Sequence, residues 1–128
     1  MKSLTKIVAT IAMAASLALA STSAFSGEDN NAKVRAAAET TLAKLQEAVN
    51  LAESGSDKAA ILAALGEARQ SQKEFRYEAT ERSRQKGNNN LVAAREAFDK
   101  GDTAHGKDSL KKALDIFTEM KKVYDSAH

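Results

Sequence analysis

Apolar residues recur at every third or fourth position through most of the chain, which is the spacing of one face of an α-helix. A stripe from Val34 to Ala52 predicts a first helix over about residues 29–53. Gly55, in the run Ser-Gly-Ser, predicts the turn that ends it, because glycine adopts the left-handed conformation readily. The same spacing then continues from Ile61 to Ala79 and predicts a second helix.

The end of the second helix has two interpretations. Lys86 is followed by glycine and three asparagines, Gly87–Asn90, which is the composition of a helix end and of the cap that starts the next helix. We therefore favour a turn at Gly87–Asn90, which leaves a third helix of about 12 residues, Asn89–Lys100.

A weak internal repeat favours an earlier break. Leu42 and neighbouring residues match Leu91 and its neighbours at a shift of 49 residues, and Leu65 matches Leu110 at a shift of 45. If the two halves are equivalent, the third helix begins near Thr80 and the Gly-Asn run lies inside it or loops out of it. Chance similarity between alanine-rich amphipathic helices also explains such a repeat.

The last helix is predicted after a turn at residues 101–103, with an apolar stripe from Leu110 to Tyr124 and an end near Ser126. The chain has no proline, and its amphipathic helices are joined by short connections. The expected fold is therefore all-α, an up-down-up-down antiparallel four-helix bundle made of two helical hairpins. Tetratricopeptide-like packing is the alternative, although two hairpins are too few for a stable solenoid.

The start of the chain has the layout of a secretory signal peptide. Lys2 and Lys6 precede an apolar run to Ala20, and small residues follow. We expect a signal peptide over residues 1–26, with cleavage after Ala20 or after Ser26, and a four-helix domain over residues 27–128. The apolar run is shorter than the ~20 residues of a spanning helix. The sequence thus predicts a periplasmic or secreted protein without stable membrane insertion.

Charge and composition exclude several classes of partner. The chain has 19 basic and 17 acidic residues, and two of the basic residues are Lys2 and Lys6, so the exported part is close to neutral. This balance gives no electrostatic reason to expect nucleic acid as a partner. There is no cysteine, which excludes disulfides, thiolate metal sites and a c-type haem attachment. We expect a monomer or a weak homo-oligomer.

Catalytic and haem-binding motifs are missing from the sequence. It contains no nucleophile elbow, phosphate loop or dinucleotide fingerprint, so we expect that the protein is not an enzyme. Bundle cytochromes hold haem with a methionine near the start and a histidine near the end. The exported part has Met120 alone, and Tyr124 and Asp125 lie where that histidine is needed. We therefore expect no haem.

Two histidines are the remaining candidates for metal binding. His105 lies in the first turn of the last predicted helix, near Asp102 and Asp108, and His128 ends the chain. Copper, nickel and zinc favour imidazole among the ligands present here. The candidate ligands of a divalent metal ion are therefore Asp102, His105, Asp108 and a flexible His128. In the alternative interpretation, these residues are solvent-exposed side chains at a helix start, and Asp108 pairs with Lys112 four residues later.

Part of the chain resembles the small metal-binding protein family. The resemblance covers the run 42–75, and above all residues 93–105 (AAREAFDKGDTAH) leading into 109–114 (SLKKAL). Those proteins are exported four-helix bundles with repeated His-x-x-x-Ala-hydrophobic-x-His segments, whose surface histidines take up divalent metals such as copper. The chain departs from the family pattern at several positions where the family has histidine, among them Lys44, Gln72, Lys111 and Asp115.

The resemblance implies a periplasmic protein that sequesters divalent metal, weakly in this case because histidine is scarce. The alternative is a metal-independent periplasmic module with a structural role or with an unknown periplasmic protein as its partner. The sequence alone does not decide between these two functions.

Overall fold

The computed structural model describes residues 29–128, so the expected signal peptide lies outside the described residues. Residues Lys33–His128 form one compact unit. All regular structure in the described part is helical, which confirms the all-α class. The elements are α1 (Asp29–Glu53), α2 (Lys58–Gln72), a short 3-10 helix (Glu78–Thr80), α3 (Glu81–Lys100) and α4 (Thr103–Ala127).

Polar pairs between α2 and α3 show that these helices run antiparallel. Lys58 Nζ at the start of α2 lies 3.7 Å from Asp99 Oδ1 at the end of α3. At the other end, Arg84 Nη1 donates to Gln72 Oε1 at 3.0 Å. Residue numbers therefore rise along α2 while they fall along α3.

Contacts between α1 and α4 close the ring of four helices. Lys111 Nζ lies 3.1 Å from Glu53 Oε2 near the end of α1, and the Arg35 guanidinium lies 6.0 Å from the Tyr124 ring near its start. In a solenoid of two hairpins the first and last helices would not be neighbours. The up-down-up-down antiparallel bundle is confirmed, and the tetratricopeptide-like alternative is wrong.

The core is rich in alanine and is filled at its centre by a few large side chains. Most of the predicted stripe residues are buried, but Val123 of the α4 stripe is 42% exposed. The largest fully buried side chains are Tyr124, Phe75, Phe117, Leu45, Leu65, Leu91, Leu110, Met120 and Thr41.

Both hairpin turns form as predicted. Gly55 and Gly101 have φ angles of 72° and 89°, the left-handed region that favours glycine. At the second turn, Asp102 is the N-cap of α4, where its Oδ1 accepts from the backbone N–H of His105 at 3.2 Å.

The predicted turn at Gly87–Asn90 is wrong. These residues lie inside α3, which begins at Glu81, and the break falls at residues 73–80 as the repeat indicated. Gly87 is buried, and a β-carbon built on it would lie 2.6 Å from Cε2 of Phe117. This glycine therefore serves close packing of two helices and does not form a turn.

The two hairpins are equivalent in a different register from the predicted one. The turn glycines Gly55 and Gly101 are 46 residues apart, and Leu45 and Leu91, at the same separation, are both fully buried. Leu42, which the predicted shift of 49 aligned with Leu91, is only half-buried. The repeat therefore predicted the break between the second and third helices correctly, although its alignment of the two halves was inexact.

The segment after α2 completes the core at one end of the bundle. α2 has 15 residues and α1 has 25, so α2 is shorter by ~15 Å. Phe75, in the segment that follows α2, is fully buried, and its ring centroid lies 6.4 Å from that of Phe117 and 6.5 Å from that of Tyr124. This aromatic side chain takes the place of the helical turns that α2 lacks.

Candidate functional site

The predicted metal ligands at the start of α4 already have other roles. Asp102 caps the helix through the backbone N–H of His105, and Asp108 Oδ2 lies 3.3 Å from Lys112 Nζ. The His105 side chain is exposed. The second interpretation of these residues, as solvent-exposed side chains of a helix start, therefore matches their observed contacts.

His128 lies far from the other three predicted ligands. It is 23 residues after His105 at the end of the same helix, which corresponds to ~35 Å. Its ring stacks on Tyr124 at 4.1 Å between centroids and 16° between planes, and its Nδ1 lies 2.9 Å from the Tyr124 carbonyl oxygen. The His128 ring thus lies against Tyr124, while the residue is exposed to solvent. Within residues 29–128 no three His, Cys, Asp or Glu side chains are grouped to hold a metal ion.

Residues at positions of expected family histidines make polar contacts between helices. The hydrogen bond from Lys44 to Glu67, 2.7 Å long, raises the pKa of this lysine. The Lys111 ammonium lowers the pKa of the Glu53 carboxyl. Both contacts join α1 to a neighbouring helix.

A groove follows the boundary between α2 and α3, and we call it the α2–α3 groove. Its volume is about 320 Å³, near the lower limit of about 300–1,000 Å³ for ligand pockets. α3 packs less extensively against α2 than against α4. The groove is lined by Leu62, Arg69, Val92, Arg95, Glu96 and Asp99.

Polar contacts close the α2–α3 boundary at the end where α3 begins. Gln72 is buried and accepts from Arg84, whose guanidinium also donates to both carboxylate oxygens of Glu81 at 2.9 and 3.2 Å. These bonds from Arg84 hold the pKa of Glu81 below its usual value, and the nearby Arg76 adds to the effect. The helices are therefore fixed relative to each other beyond the groove.

Two buried side-chain atoms of this helix pair have no hydrogen-bond partner: Nε of Arg69, which lines the groove, and Oδ1 of Asn88, which is not among the lining residues. Arg69 is 11 residues beyond Lys58 along α2, and Asn88 is 11 residues before Asp99 along α3. Since Lys58 and Asp99 are paired, the antiparallel register places Arg69 and Asn88 at a similar level along the two helices. Buried donors and acceptors are satisfied in most proteins, so this pair is unusual.

Neither arginine of the groove makes a direct ion pair, although Glu96 and Asp99 line the same groove. Among the ion pairs of residues 29–128, which include Lys58 with Asp99, none involves Arg69 or Arg95. Arg69 is half-buried and Arg95 is exposed. Two guanidinium groups without ion pairs therefore adjoin the apolar side chains of the groove.

Gly66 lies on the same face of α2 as Leu62 and Arg69, at helical spacings of four and three residues. No atom lies within 4 Å of a β-carbon built at Gly66, so packing does not require a glycine there. Glycine in a helix interior costs about 1 kcal/mol relative to alanine. The missing side chain leaves space beside the groove at this cost in stability.

Sequence reasoning did not identify this site. Gly66 lies inside the predicted second helix, where glycine lowers helix propensity, and Arg69 and Arg95 are typical of a solvent-exposed helix face. The one available signal was a glycine inside a helix with no turn near it. The second helix was predicted to continue past Gln72. The sequence therefore did not show which residues of α2 and α3 lie beside each other.

Comparison of the chain with family models, with curated proteins and with solved structures finds no match. None of the helices in residues 29–128 combines the length and the apolar character that a bilayer span requires.

Proposed function

We propose that this protein is an exported, metal-independent helical module that binds a protein partner of the periplasm. The α2–α3 groove is the observation that supports the proposal. It places the unpaired guanidinium groups of Arg69 and Arg95 beside Leu62 and Val92, and convergent polar groups around an apolar surface are the usual composition of a binding site.

Metal sequestration has less support from the geometry. A tight site for copper, nickel or zinc needs about three or four protein ligands. At the start of α4, Asp102 serves as a cap, Asp108 pairs with a lysine, and only the imidazole of His105 is left. Metal binding is therefore the competing outcome in the experiment below.

A photo-crosslinking amino acid at Glu96, an exposed residue that lines the groove, tests the proposal in intact cells. The matched control is the same amino acid at Asp115, an exposed residue of α4. We expect one defined protein adduct from position 96, its loss when Arg69→Met and Arg95→Met are combined, and no such adduct from position 115.

The role of metal is tested in the same cells. We expect that a membrane-permeant chelator leaves the adduct at position 96 unchanged, and that the purified protein retains no copper, nickel or zinc after desalting. Any one of three results would refute the proposal. These are an adduct that requires metal, equal adducts from positions 96 and 115, and no adduct from position 96.

A further inference from the structure

We infer that the partner of the α2–α3 groove is the same groove of a second copy of this chain, in a two-fold symmetric dimer. The inference rests on the proposed function and names the partner. It combines the charges that line the groove, the level of the lining residues along the two helices, and the open space at Gly66.

The groove carries equal numbers of positive and negative side chains. Arg69 and Arg95 make no ion pair within residues 29–128, and neither does Glu96. The ion pair of Asp99 with Lys58 is 3.7 Å long, and both side chains are more than half exposed. A partner with charge of a single sign would meet two like charges at the groove. A second copy instead offers acids to the arginines and arginines to the acids.

The spacing of these charges along α3 is compatible with two-fold symmetry. In an isologous interface, residue i of one copy contacts residue j of the other, and j contacts i. Glu96 follows Arg95 directly, and Asp99 follows Arg95 by about one helical turn. When two copies of α3 run antiparallel about an axis beside these residues, Arg95 of each copy faces Glu96 and Asp99 of the other. Every ion pair across the interface therefore forms twice.

The apolar residues of the groove lie near the centre of this arrangement. Lys58 pairs with Asp99, and α2 and α3 run antiparallel. Leu62 and Arg95 are each four residues from this pair, so they lie at a similar level along the two helices. Leu62 is therefore near the two-fold axis, and Val92 is about one turn away. An apolar centre within a charged rim is the usual composition of a protein interface.

Gly66 leaves room for the second copy beside Leu62. No atom of the described residues lies within 4 Å of a β-carbon built at Gly66, so the packing of this chain does not require a glycine there. Glycine allows another backbone to approach closely, because it has no side chain. The open space at Gly66 therefore lets a helix of the second copy approach α2.

The face that the dimer covers is small. α2 has 15 residues and is ~22 Å long, and neighbouring helices lie about 8–10 Å apart. The face formed by α2 and α3 thus has an area of about 400 Å², which is about half of the ~800 Å² that each partner buries in a stable complex. We therefore expect a reversible dimer that dissociates on dilution.

Sedimentation velocity of the exported protein, purified from the cell envelope, tests the inference with charge reversals. Arg95→Glu and Glu96→Arg are each expected to weaken the dimer about tenfold or more, because each substitution occurs twice in the interface and places like charges together. The matched controls are Arg82→Glu and Asp115→Arg. They change the charge equally at exposed positions outside the groove, and should leave the dimer unchanged.

Mixing the two groove variants tests the symmetry. The acidic groove of Arg95→Glu complements the basic groove of Glu96→Arg. An equimolar mixture is therefore expected to form a heterodimer in preference to either homodimer. Native mass spectrometry, with one of the variants labelled with ¹⁵N, distinguishes the three dimers.

Substitutions of Gly66 test the close approach. Gly66→Leu places a bulky side chain in the open space and is expected to reduce dimerisation about tenfold or more, whereas Gly66→Ala should have little effect. Circular dichroism of the two variants verifies that both are folded.

Any one of three results would overturn the inference. These are a monomer at every concentration, equal effects of Arg95→Glu and Arg82→Glu, and groove variants that form no heterodimer when mixed. A purified chain that stays monomeric, together with a position-96 adduct that contains a different protein, refutes the second copy and leaves the proposed function standing. Dimers of the purified chain with no adduct from position 96 in cells support the two-fold contact and refute the partner in the periplasm.

Discussion

Gly87 of α3 faces the ring of Phe117 of α4 so closely that a β-carbon at position 87 would lie 2.6 Å from Cε2 and 2.8 Å from Cζ. Phe117 is fully buried, so its ring has little freedom to move away. The same relationship recurs toward the turn, where a β-carbon at Gly106 would lie 2.9 Å from the ring of Phe98. Each helix of this hairpin thus supplies one glycine and one phenylalanine.

Gly87→Ala is expected to destabilise the protein by about 1–3 kcal/mol, because overpacking at Phe117 outweighs the gain in helix propensity. The matched control is Gly66→Ala, which meets no atom within 4 Å and should raise the free energy of unfolding by up to ~1 kcal/mol. Urea unfolding followed by circular dichroism measures both. Similar effects of the two substitutions would show that the structure accommodates a β-carbon beside Phe117 without loss of stability.

The free energy of unfolding is expected to depend on pH through Glu81. Arg84 holds the pKa of Glu81 below its usual value of 4.5, so the ionised carboxylate stabilises the fold above that pH. The stabilisation is lost as the pH falls through the lower pKa of the folded state. Glu81→Gln should remove this dependence and cost roughly 0.5–1 kcal/mol at neutral pH.

The control for Glu81 is Glu119→Gln. The ion pair of Glu119 with Lys122 is 3.5 Å long, and both side chains are 70% exposed. It is expected to contribute almost nothing to stability. If Glu119→Gln changes the acid dependence as much as Glu81→Gln does, the bonds from Arg84 to Glu81 are not its source.

Divalent copper, nickel or zinc is expected to bind weakly, with no more than about one or two ions per chain, because the protein supplies few imidazoles. His105→Ala should remove most of the binding at pH 7, and His128→Ala little of it, since the His128 ring is packed on Tyr124. Isothermal titration calorimetry measures the affinity and the number of ions bound. Sub-micromolar binding of several ions would contradict this prediction and support metal sequestration like that of the small metal-binding proteins.

Export is expected to remove about 20 to 26 residues from the start of the chain. Intact mass spectrometry of the protein from the cell envelope measures the loss. Ala20→Gln blocks only the first cleavage site and Ser26→Gln only the second, so the variants identify the one that is used. Full-length protein in the envelope would contradict the predicted signal peptide.

The fold was more predictable than the candidate site, for physical reasons. Amphipathic spacing and the turn glycines Gly55 and Gly101 are local signals, and they gave the helices at both ends of the chain correctly. Gly87 carries the same composition signal but is used for a contact with Phe117, 30 positions away, which local patterns do not show. The groove likewise depends on which residues of α2 and α3 lie beside each other, such as Leu62 and Val92, and the register of the two helices sets this.

The paired glycine and phenylalanine contacts of the α3–α4 hairpin have a consequence for the motions of the native state. Because the two helices are closely packed, we expect the backbone amides at their centres to exchange hydrogen with solvent mainly through unfolding of the whole domain. α2 is shorter, contains Gly66 and borders a groove, so its amides exchange through local openings of lower free energy. Hydrogen-exchange protection is therefore expected to be greatest on the side of the bundle away from the groove, so that the protein opens at α2 while the second hairpin stays folded.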